Sequence, residues 1–261
     1  MHTEPQSKRF EAGGYVYLPA VFQYSGGVAA DQGFALLRQR FSKPLPLAQA
    51  FAAIEQHLAG VGRPLSAFAH CELRSPAPFS EQGFVDFNRA YVQRLQSWGL
   101  FAGGDSQDNP VARTNVCPAY DPPAEPTMYA FSYTVPSTDT CSGGFMVAGS
   151  GEASEKAGEA YYSRIVALHD NSAEGLARKV EYVLETMRLR LAGLGFEWSD
   201  ANSAQIYTVQ NIGHLVGPLM AARGIAPAGL CWHYARPPVQ GLDYEMDIHG
   251  AVSDTTMRVV D

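Results

Sequence analysis

Apolar residues recur along this chain at two periods, one suited to helices and one to strands. Leu47, Phe51, Ile54 and Leu58 fall at i, i+4, i+7 and i+11 behind Pro44 and Pro46, and the stripe stops at Gly60 and Gly62, which predicts a helix. Residues 81–97 predict a second helix, opened after Pro76 and Pro78. In the later half Leu176, Val180, Val183, Met187, Leu191 and Leu194 mark a long amphipathic helix, and residues 212–222 a shorter one. Between them lie β-branched and aromatic runs bounded by Pro, Gly and Asn, which read as strands. They cover residues 15–18 and 21–28, then 35–41, 66–74, 110–116 and 127–135. The later half contributes 145–149, 161–168, 201–209, a stretch through Cys231, and 242–252.

The second half repeats the order of the first. Leu191-Ala192-Gly193-Leu194-Gly195 answers Leu58-Ala59-Gly60-Val61-Gly62, Phe145-Met146-Val147-Ala148-Gly149 answers Phe22-Gln23-Tyr24-Ser25-Gly26, and Pro237-Pro238 answers Pro122-Pro123. Several matches in one order imply duplication of a β-β-(β)-α-β-α-β-β unit. Helices with a single apolar stripe call for an α+β domain in which one sheet face packs both helices. The other face is then solvated or used for association. The Ser-, Thr- and Gly-rich residues 137–144 are the expected link, which divides the chain into domains 1–140 and 141–261.

Composition narrows the partners. With 46% hydrophobic and 17% charged residues the chain is globular, and its net charge of -7 argues against nucleic acid or an anionic membrane surface as partner. Cys71, Cys117, Cys141 and Cys231 form no C-x-x-C pair, so neither a zinc knuckle nor a thioredoxin motif is present. His169, His214 and His249 show no metal spacing, and neither a metal nor a cofactor is expected. No run reaches the roughly 18 apolar residues of a membrane helix, and no apolar stretch follows the polar start. A cytoplasmic protein with free thiols is the expectation.

One arginine stands out. In Val111-Ala112-Arg113-Thr114-Asn115-Val116 the period of two puts Arg113 and Asn115 on one strand face. A planar guanidinium is shaped to hold a carboxylate by two parallel hydrogen bonds. The plainer alternative is a surface arginine paired with an acid across the sheet.

Three short motifs carry a resemblance to the RidA family of reactive intermediate deaminases, in tandem. They are Tyr24-Ser25-Gly26, Phe87-Asn88-Arg89-Ala90-Tyr91 and Val111-Ala112-Arg113 in the first half. The second half keeps Cys231 and the acidic strand Tyr244-Glu245-Met246-Asp247, with Gly229 where the arginine would stand. More narrowly, the two-domain length and Cys71-Glu72-Leu73-Arg74-Ser75-Pro76 resemble the two-domain 2-aminomuconate deaminases. The resemblance implies two RidA-like (chorismate-mutase-like) domains, a site at a contact between domains, and a homotrimer. It further implies metal-free hydrolysis of an enamine diacid such as 2-aminomuconate or a chlorinated relative to the 2-oxo acid and ammonia, in aromatic-compound degradation.

In that scheme Arg113 clamps a substrate carboxylate, Asp247 falls on the water-positioning acid, and Glu245 is its alternate. Cys231, beside Trp232 and without a basic neighbour, reads as a buried inert thiol ahead of a nucleophile. His233 shares its strand face and is a candidate proton shuttle. Asn88 braces the site or satisfies a helix end. Arg74 holds a second carboxylate or pairs with Glu72 or Glu81. Tyr24 and Ser25 precede a Gly-Gly turn whose N–H groups bind substrate or only turn the chain. A chorismatase-like hydrolase and a non-catalytic small-acid-binding protein are the competing functions.

Overall fold

The computed structural model describes residues 5–103, 108–139, 143–154 and 160–259. Its first part holds strands β1 (Lys8–Phe10), β2 (Tyr15–Tyr17), β3 (Gly27–Ala30), β4 (Phe34–Pro46), β5 (Phe68–Arg74), β6 (Ala112–Pro118) and β7 (Thr127–Pro136), with helices α1 (Leu47–Gly60) and α2 (Glu81–Ser97). Its later part holds β8 (Phe145–Gly151), α3 (Ala173–Leu194), β9 (Ser203–Tyr207), β10 (Leu230–His233), β11 (Ala235–Arg236), β12 (Glu245–Gly250) and β13 (Ser253–Met257). Cys141 and the expected domain boundary lie outside the described residues.

These elements build two mixed sheets. One runs β11-β6-β5-β7-β4-β13 and the other β1-β2-β3-β8-β12-β9-β10. Strands β6-β5-β7-β4 and β10-β9-β12-β8 thus follow one another in matching order. In each set a parallel pair, β5 with β6 or β9 with β10, adjoins an antiparallel partner, β7 or β12. The chain ends cross over: β3 pairs antiparallel with β8, and β13 pairs parallel with β4.

The helices form where the apolar stripes place them. Ser80 Oγ caps α2 by accepting the Gly83 N–H at 3.1 Å, and Ser172 does the same for α3 through Gly175. Gly195, at φ 84°, closes α3 in the left-handed conformation that a residue without Cβ adopts freely. Under the first sheet Phe51, Ile54 and Leu58 of α1 and Tyr91 and Leu95 of α2 pack on Phe68, Cys71, Leu73 and Phe131. Under the second, α3 buries Leu176, Val180, Val183, Leu184, Met187 and Leu191 against Val147, Ile206, Met246 and Ile248. Each such side chain contributes roughly 1.5 to 3 kcal/mol.

Three expected elements differ. Residues 161–168 are not a strand: Tyr161–Arg164 is a 3-10 turn, and Ala167 and His169 have positive φ, which no extended strand accommodates. Residues 212–222 give one helical turn, Gly213–Leu215, then a π turn, Val216–Met220, because Pro218 has no N–H to continue a regular helix. Of 21–28, only Gly27 and Val28 enter a strand, while Val21 and Tyr24 bridge each other across a tight turn.

The faces turned away from the helices meet each other inside the chain. Small and apolar residues, among them Val28, Leu36, Ala69, Ala112, Met146 and Ala148, form part of that contact. The rest is polar. On β5, His70, Glu72 and Arg74 alternate with the helix-facing Cys71 and Leu73, and on β12, Glu245, Asp247 and His249 alternate with Met246 and Ile248. Arg38 donates to Glu72 at 2.7 Å and to Asp254 at 2.9 Å. Burial works against the charge of Glu72, but Arg38 and Arg74 hold its carboxyl well below the usual range.

Candidate active site

The alternation of β6 points Arg113 and Asn115 toward α2. Arg113 is 2% exposed, and its guanidinium lies among four rings: Tyr91 at 4.9 Å, Tyr24 at 5.4 Å, Phe84 at 5.6 Å and Phe87 at 5.8 Å. Phe84, Phe87 and Tyr91 come from one face of α2, spaced i, i+3 and i+7. Its Nε and Nη1 have no hydrogen-bond partner among the described residues. Asn115 accepts from Ser75 Oγ at 2.9 Å through Oδ1, and its Nδ2 is likewise unpartnered. Buried donors left this way are costly in a folded protein unless something else fills them.

Both side chains open into a cavity of about 170 Å³, whose walls come from both halves of the chain. Tyr24 joins them, and the second half adds Gly149, Ser150, Tyr161, Arg164 and Glu245. Gly149 lets β8 approach β6: its N–H donates to Thr114 Oγ1 at 3.0 Å, and a Cβ there would overlap Glu245 Oε1 and lie 3.2 Å from Thr114 Cα. Glu152 fixes the chain just before Glu245, accepting the N–H groups of Asp243 at 2.6 Å and Tyr244 at 3.1 Å. Lys179 anchors the same turn by pairing with Asp243.

Burial raises the Glu245 carboxyl well above its ordinary pKa, and the charges of Asp247 and Glu152 push the same way. Arg113 and Arg190 oppose them without prevailing. The net direction favours the neutral carboxyl over the carboxylate. Asp247 is raised to about 7 by burial and by Glu72, against hydrogen bonds from Thr114, Tyr207 and Gln205.

The structure divides the residues expected to act together. Arg113, Tyr24 and Glu245 share the cavity; Asp247 does not line it. Asp247 instead accepts from Gln205 Nε2 at 2.9 Å and Tyr207 Oη at 3.0 Å, between the sheets. His233 lies 3.1 Å from Gln205 Oε1 and stacks on Tyr207, and burial lowers its pKa to about 4. Cys231 corrects an expectation: it is exposed, because β10 is the outermost strand of its sheet and nothing among the described residues covers it. Arg74 is held between Tyr129 and Tyr207, 3.7 Å from Glu72, and does not line the cavity. Ser25 ties the Tyr24 loop to β6, its N–H donating to the Val111 carbonyl at 2.9 Å. Asn88 is fully buried in α2 with both amide atoms unpartnered.

Sequence reasoning missed Gly149, Tyr161 and Arg164. The one local signal was an arginine beside two tyrosines in Tyr161-Tyr162-Ser163-Arg164, and a strand reading of that stretch hid it. Among the described residues no group of three or more His, Cys, Asp or Glu side chains is arranged to hold a metal ion. No helix among them is long and apolar enough to cross a membrane.

A family model for 2-aminomuconate deaminase CnbZ matches residues 7–255. The chain belongs to this family. One of its relatives, a 2-amino-5-chloromuconate deaminase of Comamonas testosteroni, is 56% identical over 255 residues, 97% of this chain and 100% of the relative. Family membership makes the chain a deaminase by kinship, and so an enzyme acting on C–N bonds of a small molecule. Solved structures give looser likenesses, at TM-scores too low to carry an argument. A chorismatase matches at TM-score 0.46 and 13% identity, over 94% of this chain and 79% of its own. The YjgF gene product of E. coli matches at 0.31 and 13%, over 42% and 80%.

Proposed function

We propose that this protein hydrolyses 2-aminomuconate or a chlorinated relative to the 2-oxo acid and ammonia, without a metal, in the breakdown of aromatic compounds. One observation carries the reading: Arg113, Asn115 and Glu245, a carboxyl whose pKa burial raises, line one cavity, and Arg113 and Asn115 keep buried donors without a partner among the described residues. The donors fit a substrate carboxylate, and the carboxyl fits the proton traffic. Kinship with the Comamonas testosteroni enzyme supports the substrate class.

In this mechanism Arg113 and Asn115 hold the carboxylate next to the amine-bearing carbon. Glu245 gives its proton to the neighbouring enamine carbon, leaving an iminium and a glutamate. That glutamate takes a proton from water as the water oxygen bonds to the iminium carbon. Glu245 then protonates the amine, the C–N bond breaks, and the hydroxyl proton returns to Glu245 as the carbonyl forms. Water enters, ammonia leaves, and the carboxyl is restored. Glu245, and not Asp247, carries the protons because it alone of the two lines the cavity. Asp247 acts through it, raising its pKa.

The matching strand orders support reading the chain as two tandem RidA-like units, divided near residues 140 and 141, which build one site between them. A three-chain assembly is part of the proposal, with exposed Trp232 and Tyr234 at the β10 edge as contact candidates; light scattering tests it. The function is tested by ammonia release from 2-aminomuconate. Wild type is expected to release it, and E245Q to lose roughly 100-fold or more while still binding muconate. An E245Q enzyme with undiminished turnover would remove Glu245 from the mechanism.

A further inference from the structure

Behind Glu245 lies a buried ionic cluster that the proposed reaction does not use. Strands β8 and β12 pair antiparallel, and the register ends with Glu245 opposite Gly151. Past that pair a side chain takes over from the backbone ladder. Glu152 accepts the Asp243 N–H on Oε1 at 2.6 Å and the Tyr244 N–H on Oε2 at 3.1 Å, so each carboxyl oxygen holds one backbone donor. Its own carbonyl accepts the Val166 N–H at 2.8 Å.

Asp243 is held at every polar atom. Besides its N–H on Glu152, its carbonyl accepts from Thr208 Oγ1 at 2.7 Å, Oδ1 accepts from Gln210 Nε2 at 3.1 Å, and Oδ2 pairs with Lys179 of α3. Lys179 Nζ lies 3.9 Å from Glu152 Oε1, and neither of these two side chains has exposed surface. Charges so deeply buried persist only when paired. Neither Glu152 nor Lys179 lines the cavity, yet the backbone they hold runs straight into Glu245, which does.

A carboxylate suits two N–H groups better than a neutral carboxyl, one of whose oxygens carries a proton. Burial raises the Glu152 pKa to about 7, against its backbone hydrogen bonds and Lys179. Once charged, Glu152 joins Asp247 in raising Glu245, against Arg113 of β6 and Arg190 of α3. Tyr161 feels both glutamates, Tyr244 feels Glu152, and Cys117 feels Glu245; burial pushes all three upward, so they stay neutral near pH 7.

We propose that Glu152 is a positioning residue for Glu245: its clasp on the Asp243 and Tyr244 N–H groups, backed by Lys179, sets where the Glu245 carboxyl stands in the cavity. This rests on the reading of Glu245 as proton carrier. Two variants separate the clasp from the charge. E152D keeps the charge but is one methylene too short for both donors, and E152Q loses the charge and turns a donor toward a donor. Both are expected to lower kcat for ammonia release from 2-aminomuconate roughly 10- to 100-fold, while calorimetry finds muconate affinity within about threefold of wild type. The alkaline limb of the rate profile should move to lower pH in E152Q and stay near wild type in E152D. A kcat within about threefold of wild type in E152D, or muconate affinity falling in step with kcat, overturns the proposal. Should E152Q fail to fold, E152D alone decides by these criteria.

Infrared spectroscopy keeps the two readings apart. The carbonyl band of the protonated Glu245 carboxyl, assigned by its loss in E245Q, reports position and titration without turnover. It should shift in E152D and titrate at lower pH in E152Q. Those changes in a protein that releases no ammonia would defeat the deaminase reading and leave Glu152 standing. An unmoved band in an active enzyme would do the reverse.

Discussion

Arg113→Met removes a charge while nearly keeping its volume, and the surroundings of Arg113 allow the consequences to be worked out. In the free protein the guanidinium is 2% exposed with Nε and Nη1 unpartnered, a burial cost that four rings at 4.9 to 5.8 Å partly offset. Each ring contact is worth about 0.5 to 1 kcal/mol. Methionine relinquishes both the cost and the offset and packs against the same rings through sulfur. The net change in stability should lie within about 1 kcal/mol, a shift in Tm of roughly 2 to 4 °C for a chain this long. Activity fares differently. Two charge-assisted bonds to a carboxylate in a site shielded from water are worth about 2 to 4 kcal/mol, which lowers kcat/KM roughly 30- to 1000-fold. The assay is ammonia release from 2-aminomuconate, coupled to a dehydrogenase, beside a thermal melt of the same preparation. Turnover within about threefold of wild type would refute the clamp. A collapse of the melting transition would show instead that Arg113 holds the fold together.

Glu245 makes a prediction about pH. Its pKa is raised in the folded protein, and the reaction starts from the protonated form, so kcat/KM should fall as pH rises through that value. Stability follows the same sign: the unfolded chain releases this proton near its ordinary pKa of about 4.3 while the folded chain keeps it, so the protein loses stability as pH rises above that point. E245Q should remove this slope and melt above wild type at mildly alkaline pH, as calorimetry across pH would show. D247N takes away a neighbouring negative charge and should move the alkaline limb of the rate profile to lower pH, with KM little changed; an unmoved limb would disconnect Asp247 from Glu245. In G149A the added methyl overlaps Glu245 Oε1, so turnover should drop roughly tenfold or more with a smaller loss of stability, and a fully active G149A would contradict the close approach of β8 to β6.

Much of the framework was legible in the sequence because it rests on local periodicity. The stripes of α1 and α3 are uninterrupted, and the period of two in β6 correctly put Arg113 and Asn115 on one face. The choice between Glu245 and Asp247 was not legible. Both lie on one face of β12, and only the approach of β8, permitted by Gly149, decides which of them meets the cavity. Arg164 was hidden for a related reason: backbone with positive φ at Ala167 and His169 leaves no periodic trace, yet it turns the Tyr161–Arg164 segment into the cavity wall. Cys231 reads as a core residue because its sequence neighbours are apolar, and its exposure follows from an edge that only the assembled sheet reveals.

The crossing of chain ends makes neither half self-sufficient. Expressed alone, residues 143–259 would leave β8 without β3, and residues 5–139 would leave β4 without β13, each baring a row of backbone donors and acceptors. Such fragments should be poorly soluble singly and reassemble when mixed. Under the division proposed near residues 140 and 141, a cut there should leave two pieces that remain clasped and active, and separate only under denaturant.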